Sequence, residues 1–576
     1  MHIIDWLVLA STIVFIVVYG MWKTRSTSSV ESYLIGDRDL KWWTIGLSIM
    51  ATQASGITFL STPGQAYEEG MGFIQFYLGL PIAMVILSVY FLPKFYNLKV
   101  YTAYEYLEQR FGIKARTLTA IIFLIQRGFS AGLTIYAPSI IMAKILDWNL
   151  GLTNLAIGGI VIIYTVVGGT KAVSETQQQQ MAIILFGLFA ALLTVLYKLP
   201  KDVSFTDAVN VAGHLGKMNI IDFKFNPESR YNIWSGMLGG TFLFLSYFGT
   251  DQSQVQRYLS GKTLTESRLG LLFNGILKVP MQFTVLFVGM MVFVFYLFNP
   301  SPLHYNTANV ANVKNSEYAA TYQTIEAKHI TLAEAQRSAT YDLVQAQHSG
   351  NQSLISEKIN TVNGLLKEDA KLRASAKEVI KHNDKDAETK DTDYVFITFV
   401  LNNMPIGLVG LLIAVIFAAA MSSISSEVNA LATTTVIDIY RRSFVKIATD
   451  EHYLLASKWF TIIWGGIALG FAALASLFDN LIQAVNIIGS IFYGVILGIF
   501  LVAFFFKKIR ENAVVTAAAI TQAAIIGLFF ADKWGYVKVA FLWFNLIGPF
   551  LVIVLSILLQ NTIFREKYEA KQVLDL

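Results

Sequence analysis

Apolar runs of bilayer-crossing length recur along most of this chain, and the connections between them are mostly short and polar. The first covers 3–22. Others follow at roughly 42–62, 72–95, 117–146, 150–168, 178–198, 231–257, 269–298, 405–435, 453–476, 481–506, 512–531 and 537–560, about thirteen in all. The first run has neither a basic leader nor an A-x-A cleavage site, so it reads as a retained span. Lys23, Arg25, Arg38 and Lys41 follow it, and alternate connections (94–116, 257–268, 441–458, 507–510) are again basic, whereas 63–71 and 477–480 carry no Lys or Arg. The positive-inside rule then places the N-terminus outside. An odd span count puts the C-terminus, with Arg565, Lys567 and Lys571, in the cytoplasm; only the connection around 198–230 strains the pattern.

Residues 299–393 break the rhythm. They are rich in Ala, Gln, Glu, Lys and Asp with no sustained apolar run, and predict a hydrophilic helical insertion on the outer side, with two amphipathic helices that could pair as a hairpin. A solvated loop accounts for it; a protein-partner role has no support in the residues themselves.

Two spans lose their apolar character midway. The second runs into ATQASGITFLSTPGQAYEEG at 51–70, polar at membrane depth, where irregular backbone is tolerated only if it lines a cavity or is buried in protein. The seventh, GGTFLFLSYFGTDQSQVQR at 239–257, places Ser246, Gly249 and Asp251 in an apolar helix. Interruptions at matching places in two halves point to a transporter's midplane site, and imply a five-plus-five inverted repeat over roughly 42–198 and 231–506. Two unrelated glycine kinks are the alternative.

A third irregularity lies at 415–440, VIFAAAMSSISSEVNALATTTVIDIY, an apolar helix that abruptly presents small hydroxyls. Residues three and four apart share a helix face, so the Ala419 carbonyl and the Ser422 and Ser423 hydroxyls converge on one point. Serines in membrane helices also bond back to carbonyls or let helices pack closely. If carbonyls freed at Ala51 and Ala54 face this row, about five oxygens surround one point, a shell suited to a hard monovalent cation.

Composition narrows the chemistry. The 576 residues are 55% hydrophobic and 14% charged, and the net charge of +5 sits in loops, where it speaks to topology and not to nucleic acid. With no cysteine there is no disulfide, thiolate nucleophile or Cys-ligated metal. The seven histidines form no HExxH, and no Gly-rich loop precedes Lys-Ser/Thr, so hydrolase and ATPase readings lack their parts and the chain is not read as an enzyme.

The residues resemble the sodium/solute symporter family, which includes the sodium–glucose cotransporters. AAAMSS at 418–423 with NALATTTVIDIY at 429–440 carries the resemblance most specifically, supported by YFLPKFYNLKVYTAYEYLEQRFG (90–112), YTVVGGTKAV (164–173) and DQSQVQRYLSGKT (251–263). Locally, ITFLSTPGQAYEEG, IYAPSI and IIDFKFNPESRYNIWSGMLGGTF are most similar to the branch carrying monocarboxylates, iodide and vitamins. The resemblance covers roughly 1–298 and 394–530. It implies an all-α polytopic membrane protein with a leucine-transporter-type core, Na+ as the co-transported ion, and Na+ ligands at Ala51, Ala54, Ala419, Ser422 and Ser423.

For the solute, it implies contacts at Lys278 and Gln483, which match sugar-binding positions. Tyr77, Phe244 and Thr58 stand where sugar carriers have a carboxylate, an Asn and a Gln. Tyr247 matches an aromatic closing the inner face, and Gln53 lies on the broken helix. Asp251 stands where relatives often have Asn and is a coupling or gating candidate, since a buried ionisable group costs at least ~2.5 kcal/mol unless compensated. Thr176-Gln177 replaces a Thr-Asp pair, which puts a second Na+ site in doubt.

The expected organisation is an extra N-terminal helix and cytoplasmic loop (1–41), a first repeat (42–198), an extracytoplasmic loop (199–230), the start of a second repeat (231–298), the insertion (299–393), the rest of that repeat (394–506), and two further spans with a short cytoplasmic tail (507–576). The expected function is Na+-coupled symport of a small organic solute across the cell membrane, a monocarboxylate or similar anion ahead of a sugar, polyol or sialic acid. A membrane solute sensor is the rival of another class, disfavoured by the short tail after 560. A passive channel is disfavoured by the lack of any repeated selectivity loop or ring of charge.

Overall fold

The computed structural model describes residues 1–23, 33–34, 38–146, 148–385, 387–474 and 480–565. Arg25, Lys567, Lys571 and most of the 477–480 connection lie outside them. Among the described residues regular structure is helical, with one isolated bridge between Leu40 and Gly261. Helix α1 is Ile3–Lys23; α2 (Trp42–Gln53) and α3 (Gly56–Glu69) form the second span; α4 is Met71–Asn97, α5 Ile113–Leu146 and α6 Leu150–Tyr197. The second half holds α7 (Gly240–Thr250), α8 (Gln252–Leu259) and α9 (Leu264–Phe298). After the insertion helices α10 (Ala319–Ser349) and α11 (Gln352–Asn383) come α12 (Leu408–Thr434), α13 (Asp450–Ala472), α14 (Leu481–Phe505), α15 (Glu511–Lys533) and α16 (Phe544–Asn561).

Nine helices among the described residues are individually long and apolar enough to cross a bilayer. The second and seventh spans fall outside that set because each is split. At 1.5 Å per residue, the 12 residues of α2 and the 14 of α3 reach about 18 and 21 Å, so neither crosses alone. The predicted spans at 150–168 and 178–198 are joined in one helical run of 48 residues, α6. The segment between them, 169–177, holds one glycine and no proline, and the helical run passes through it.

The two breaks differ in detail. In the second span, Ala54 (φ −81°, ψ 72°) leaves the helix and Ser55 is extended before Gly56 restarts it. In the seventh, Gly239 ends a π-helical turn (Ser235–Gly239) and the backbone opens at Asp251, whose extended conformation separates α7 from α8. The Asp251 side chain accepts from the Ser253 amide at 2.9 Å and so caps α8.

Helix α12 runs through the core against α1, α2, α3, α5 and α6. Asp5 of α1 fixes its start by accepting from the Gly407 amide (2.6 Å) and the Gly410 amide (3.3 Å), an anion at a helix N-terminus. Helix α9 backs the broken span so closely that a Cβ on Gly289 would lie 2.1 Å from the Pro63 carbonyl oxygen. Gly289→Ala therefore forces the two backbones apart. We expect a loss of about 1–3 kcal/mol, read as a lower melting temperature in detergent; unchanged thermal stability would mean that α9 is free to move away.

The insertion folds as a helical hairpin, α10 and α11, turning at Gly350 (φ +68°) with Asn351 capping the second helix. His348 at the tip bonds Asp207 at 2.9 Å, so the insertion and the 199–230 segment lie on the same side of the membrane. At its base Asp391 accepts from the Tyr305 amide and pairs with Lys377, both at 2.8 Å. Burial opposes the charge on Asp391, but His304 and Lys377 outweigh it and hold the carboxyl well below the usual range.

Candidate functional site

The row of hydroxyls on α12 lies against the break in the second span. Ser422 Oγ donates to the Ala51 carbonyl at 3.3 Å and Ser423 Oγ to the Thr52 carbonyl at 2.9 Å. A Cβ on Gly56 would meet the Ala420 Cβ at 3.1 Å, so the restart of the helix is also packed on α12. Ala419 lies one turn before the serines and is fully buried. Ala54 forms the turn, its N–H closing on the Met50 carbonyl at 2.8 Å. The structure thus brings Ala51, Ser422 and Ser423 together and adds the Thr52 carbonyl, which sequence reasoning missed by one residue.

Gln177 of α6 closes this cluster from the side. Its Nε2 lies within donor distance of Ser422 Oγ (2.8 Å), Thr52 Oγ1 (3.0 Å) and Ser426 Oγ (3.1 Å), while Ser48 donates to its oxygen. The donor set at the break is neutral carbonyl and hydroxyl oxygen, and no group of three or more His, Cys, Asp or Glu suits a metal among the described residues. Such a set fits an alkali cation and lacks the ligands a transition metal requires.

Immediately beyond the break is a narrow cavity of about 70 Å³. Thr52, Gln53, Ser55, Ile57 and Thr58 form one wall. Tyr77, Phe76 and Phe244 make an aromatic side, with the Tyr77 and Phe244 centroids 5.6 Å apart. Tyr247 lies 5.8 Å from Tyr493, and its hydroxyl accepts from Gln254 at 2.6 Å.

The inner wall carries charge. Arg127 of α5 donates through Nη1 to Glu427 of α12 at 2.9 Å, and through Nη2 to Tyr493 at 2.6 Å and to Asp251. Tyr493 also donates to Asp251 at 3.1 Å, and the guanidinium lies 5.3 Å from the Tyr247 ring centre. Three helices of different spans and the second break therefore meet at one guanidinium. Asp251, the coupling or gating candidate, is buried and paired with Arg127.

Of the expected solute residues, Gln53, Thr58, Tyr77 and Tyr247 line the cavity. Lys278 and Gln483 do not. Lys278 is fully buried in α9, its Nζ without a hydrogen-bond partner among the described residues. Gln483 accepts from Arg230 at 2.9 Å and donates to Gln65 at 2.8 Å. Arg127, Glu427 and Tyr493 were missed. The available signal was the one applied to Asp251 and Lys278, an ionisable side chain inside a span.

Two interrupted helices meeting a hydroxyl-faced helix beside a cavity with polar and aromatic walls define a secondary transporter core. The family model of the sodium:solute symporter family matches residues 33–325 and 375–520, and the chain belongs to that family. The human sodium/iodide cotransporter is 32% identical over 282 residues, covering 48% of this chain and 43% of that protein. Mouse sodium-coupled monocarboxylate transporter 1 is 27% identical over 486 residues, covering 84% of this chain and 65% of that protein. The chain thus spans less than two thirds of the length of either relative. A solved Na+-coupled sialic acid symporter, substrate-bound and outward-open, superposes with a TM-score of 0.71 at 20% identity, over 96% of this chain and 97% of that one. That likeness carries the fold.

Proposed function

We propose that this chain is a multi-pass membrane symporter that couples Na+ entry to uptake of a small carboxylate-bearing solute by alternating access. The observation that carries the reading is that one break serves two sites. The Thr52 carbonyl faces Ser423, while Thr52 and the next residue, Gln53, line the cavity. Na+ held by Ala51, Thr52, Ser422 and Ser423, with Ala54 and Ala419 completing the shell, takes the place of the hydroxyl-to-carbonyl bonds and fixes the break against α12. A fixed break presents an assembled wall to the solute. Each ligand then raises the other's affinity by the same factor.

The stoichiometry follows from Gln177. It stands where the resemblance has a carboxylate linked to a second ion and brings no negative charge, so one Na+ per solute is the stoichiometry of this reading. By the positive-inside rule the basic connections put the N-terminus outside in this reading. The carboxylate preference rests on the monocarboxylate-carrying relatives and on the N-terminal turn of α3, which faces the cavity with Ser55, Ile57 and Thr58. Sugar recognition through Lys278 and Gln483 has no support, since neither lines the cavity.

Uptake of labelled solutes into proteoliposomes under an inward Na+ gradient tests this. Pyruvate, lactate and neutral amino acids form the panel, with a hexose as contrast. Accumulation of a carboxylate-bearing solute in Na+ and not in choline is expected; equal uptake in both buffers would remove the coupling.

A further inference from the structure

The charges on the inner wall of the cavity do not balance. Arg127 faces two carboxylates, Asp251 and Glu427, and the three residues are only 2%, 1% and 5% exposed. Asp251 is fully engaged by Arg127, Tyr493 and the Ser253 amide and hydroxyl. Glu427 is not. Its Oε1 accepts from Arg127, but Oε2 has no hydrogen-bond partner among the described residues. Thr134 lies beside the carboxylate, yet its hydroxyl is committed to the Ser130 carbonyl at 3.0 Å. With all three groups ionised the cluster is one negative charge in excess, and a buried carboxylate oxygen without a partner among the described residues is costly until a cation or a proton compensates it.

We propose that the transported solute supplies that cation: Glu427 Oε2 holds a protonated nitrogen of the solute, whose carboxylate lies at the N-terminal turn of α3, so the substrate class is a small amino acid. This rests on reading the cavity as the solute site. The cavity supplies both poles. One wall is formed by the first residues of α3. Another carries Glu427, with the Ser130 hydroxyl, unpartnered among the described residues, on the same helix as Arg127. Tyr77 and Phe244 leave an apolar wall for a short side chain. A simple monocarboxylate would satisfy the first pole and leave Glu427 uncompensated.

Charge transfer separates the alternatives. With one Na+ per cycle, a zwitterion carries one positive charge across the membrane, whereas a monocarboxylate anion with one Na+ carries none. Solute-evoked currents from proteoliposomes on a solid-supported membrane are therefore expected for proline, alanine or glycine in Na+, and not for pyruvate or lactate. Glu427→Gln removes the excess charge and leaves Arg127 paired with Asp251, so this variant is expected to fold. It should need at least ten times more amino acid for half-maximal current, with its Na+-induced thermal stabilisation retained.

The proposal is overturned if no amino acid evokes a Na+-dependent current. It is equally overturned if pyruvate or lactate is taken up with Na+ while amino acids are not, or if Glu427→Gln keeps the wild-type amino-acid response. A rise confined to the Na+ requirement of that variant would assign the carboxylate to the ion instead. Amino-acid uptake that persists in choline would leave the substrate assignment standing and overturn Na+ coupling.

Discussion

Arg127→Met should abolish transport and cost about 3–5 kcal/mol of stability, the range found when one partner of a buried ion pair is removed. The arginine is the only cation in contact with Asp251 and Glu427 among the described residues, and its loss leaves two buried carboxylates facing each other across the cavity wall. It also removes the donor to Tyr493 and the charge over Tyr247. Methionine keeps much of the length and none of the charge, so the effect reports electrostatics more than volume. The decisive comparison is the triple variant Arg127→Met, Asp251→Asn, Glu427→Gln. With the charges removed together the fold should return, read as recovered melting temperature and monodisperse elution, while uptake stays absent. If the single variant is as stable as the parent, the cluster does not hold the helices together.

The same cluster shows where sequence reasoning stops. Spans and breaks are local patterns, so the loss of hydrophobicity after Met50 and the serine row on α12 were legible, as was the face shared by Ala419, Ser422 and Ser423. A partner 124 or 300 residues away leaves no such trace. Arg127 sits in an ordinary apolar run, and Glu427 follows four serines where another polar residue attracts no notice. Lys278 shows the converse failure. Its match to a sugar-binding position says which residue occupies the place and nothing about which way α9 is turned, and here the lysine stays out of the cavity. The join within α6 was hidden for another reason: polar residues between apolar runs look like a loop, although each is compatible with helix.

Ser423→Ala should raise the Na+ concentration for half-maximal uptake at least tenfold, which corresponds to about 1.4 kcal/mol. Ser423 is the residue whose hydroxyl reaches the Thr52 carbonyl, and alanine deletes that oxygen while leaving α12 helical. Because Thr52 also lines the cavity, the loss is expected to pass to the solute: half-saturation should rise at low Na+ and recover as Na+ is increased, as reciprocal coupling requires. Ser425→Ala is the matched control. That hydroxyl donates to the Ser422 carbonyl of its own helix at 3.1 Å, so its removal should leave both half-saturation values unchanged. Equal behaviour of the two variants would mean that the hydroxyls serve helix packing alone, and the ion would have to be sought elsewhere along α12.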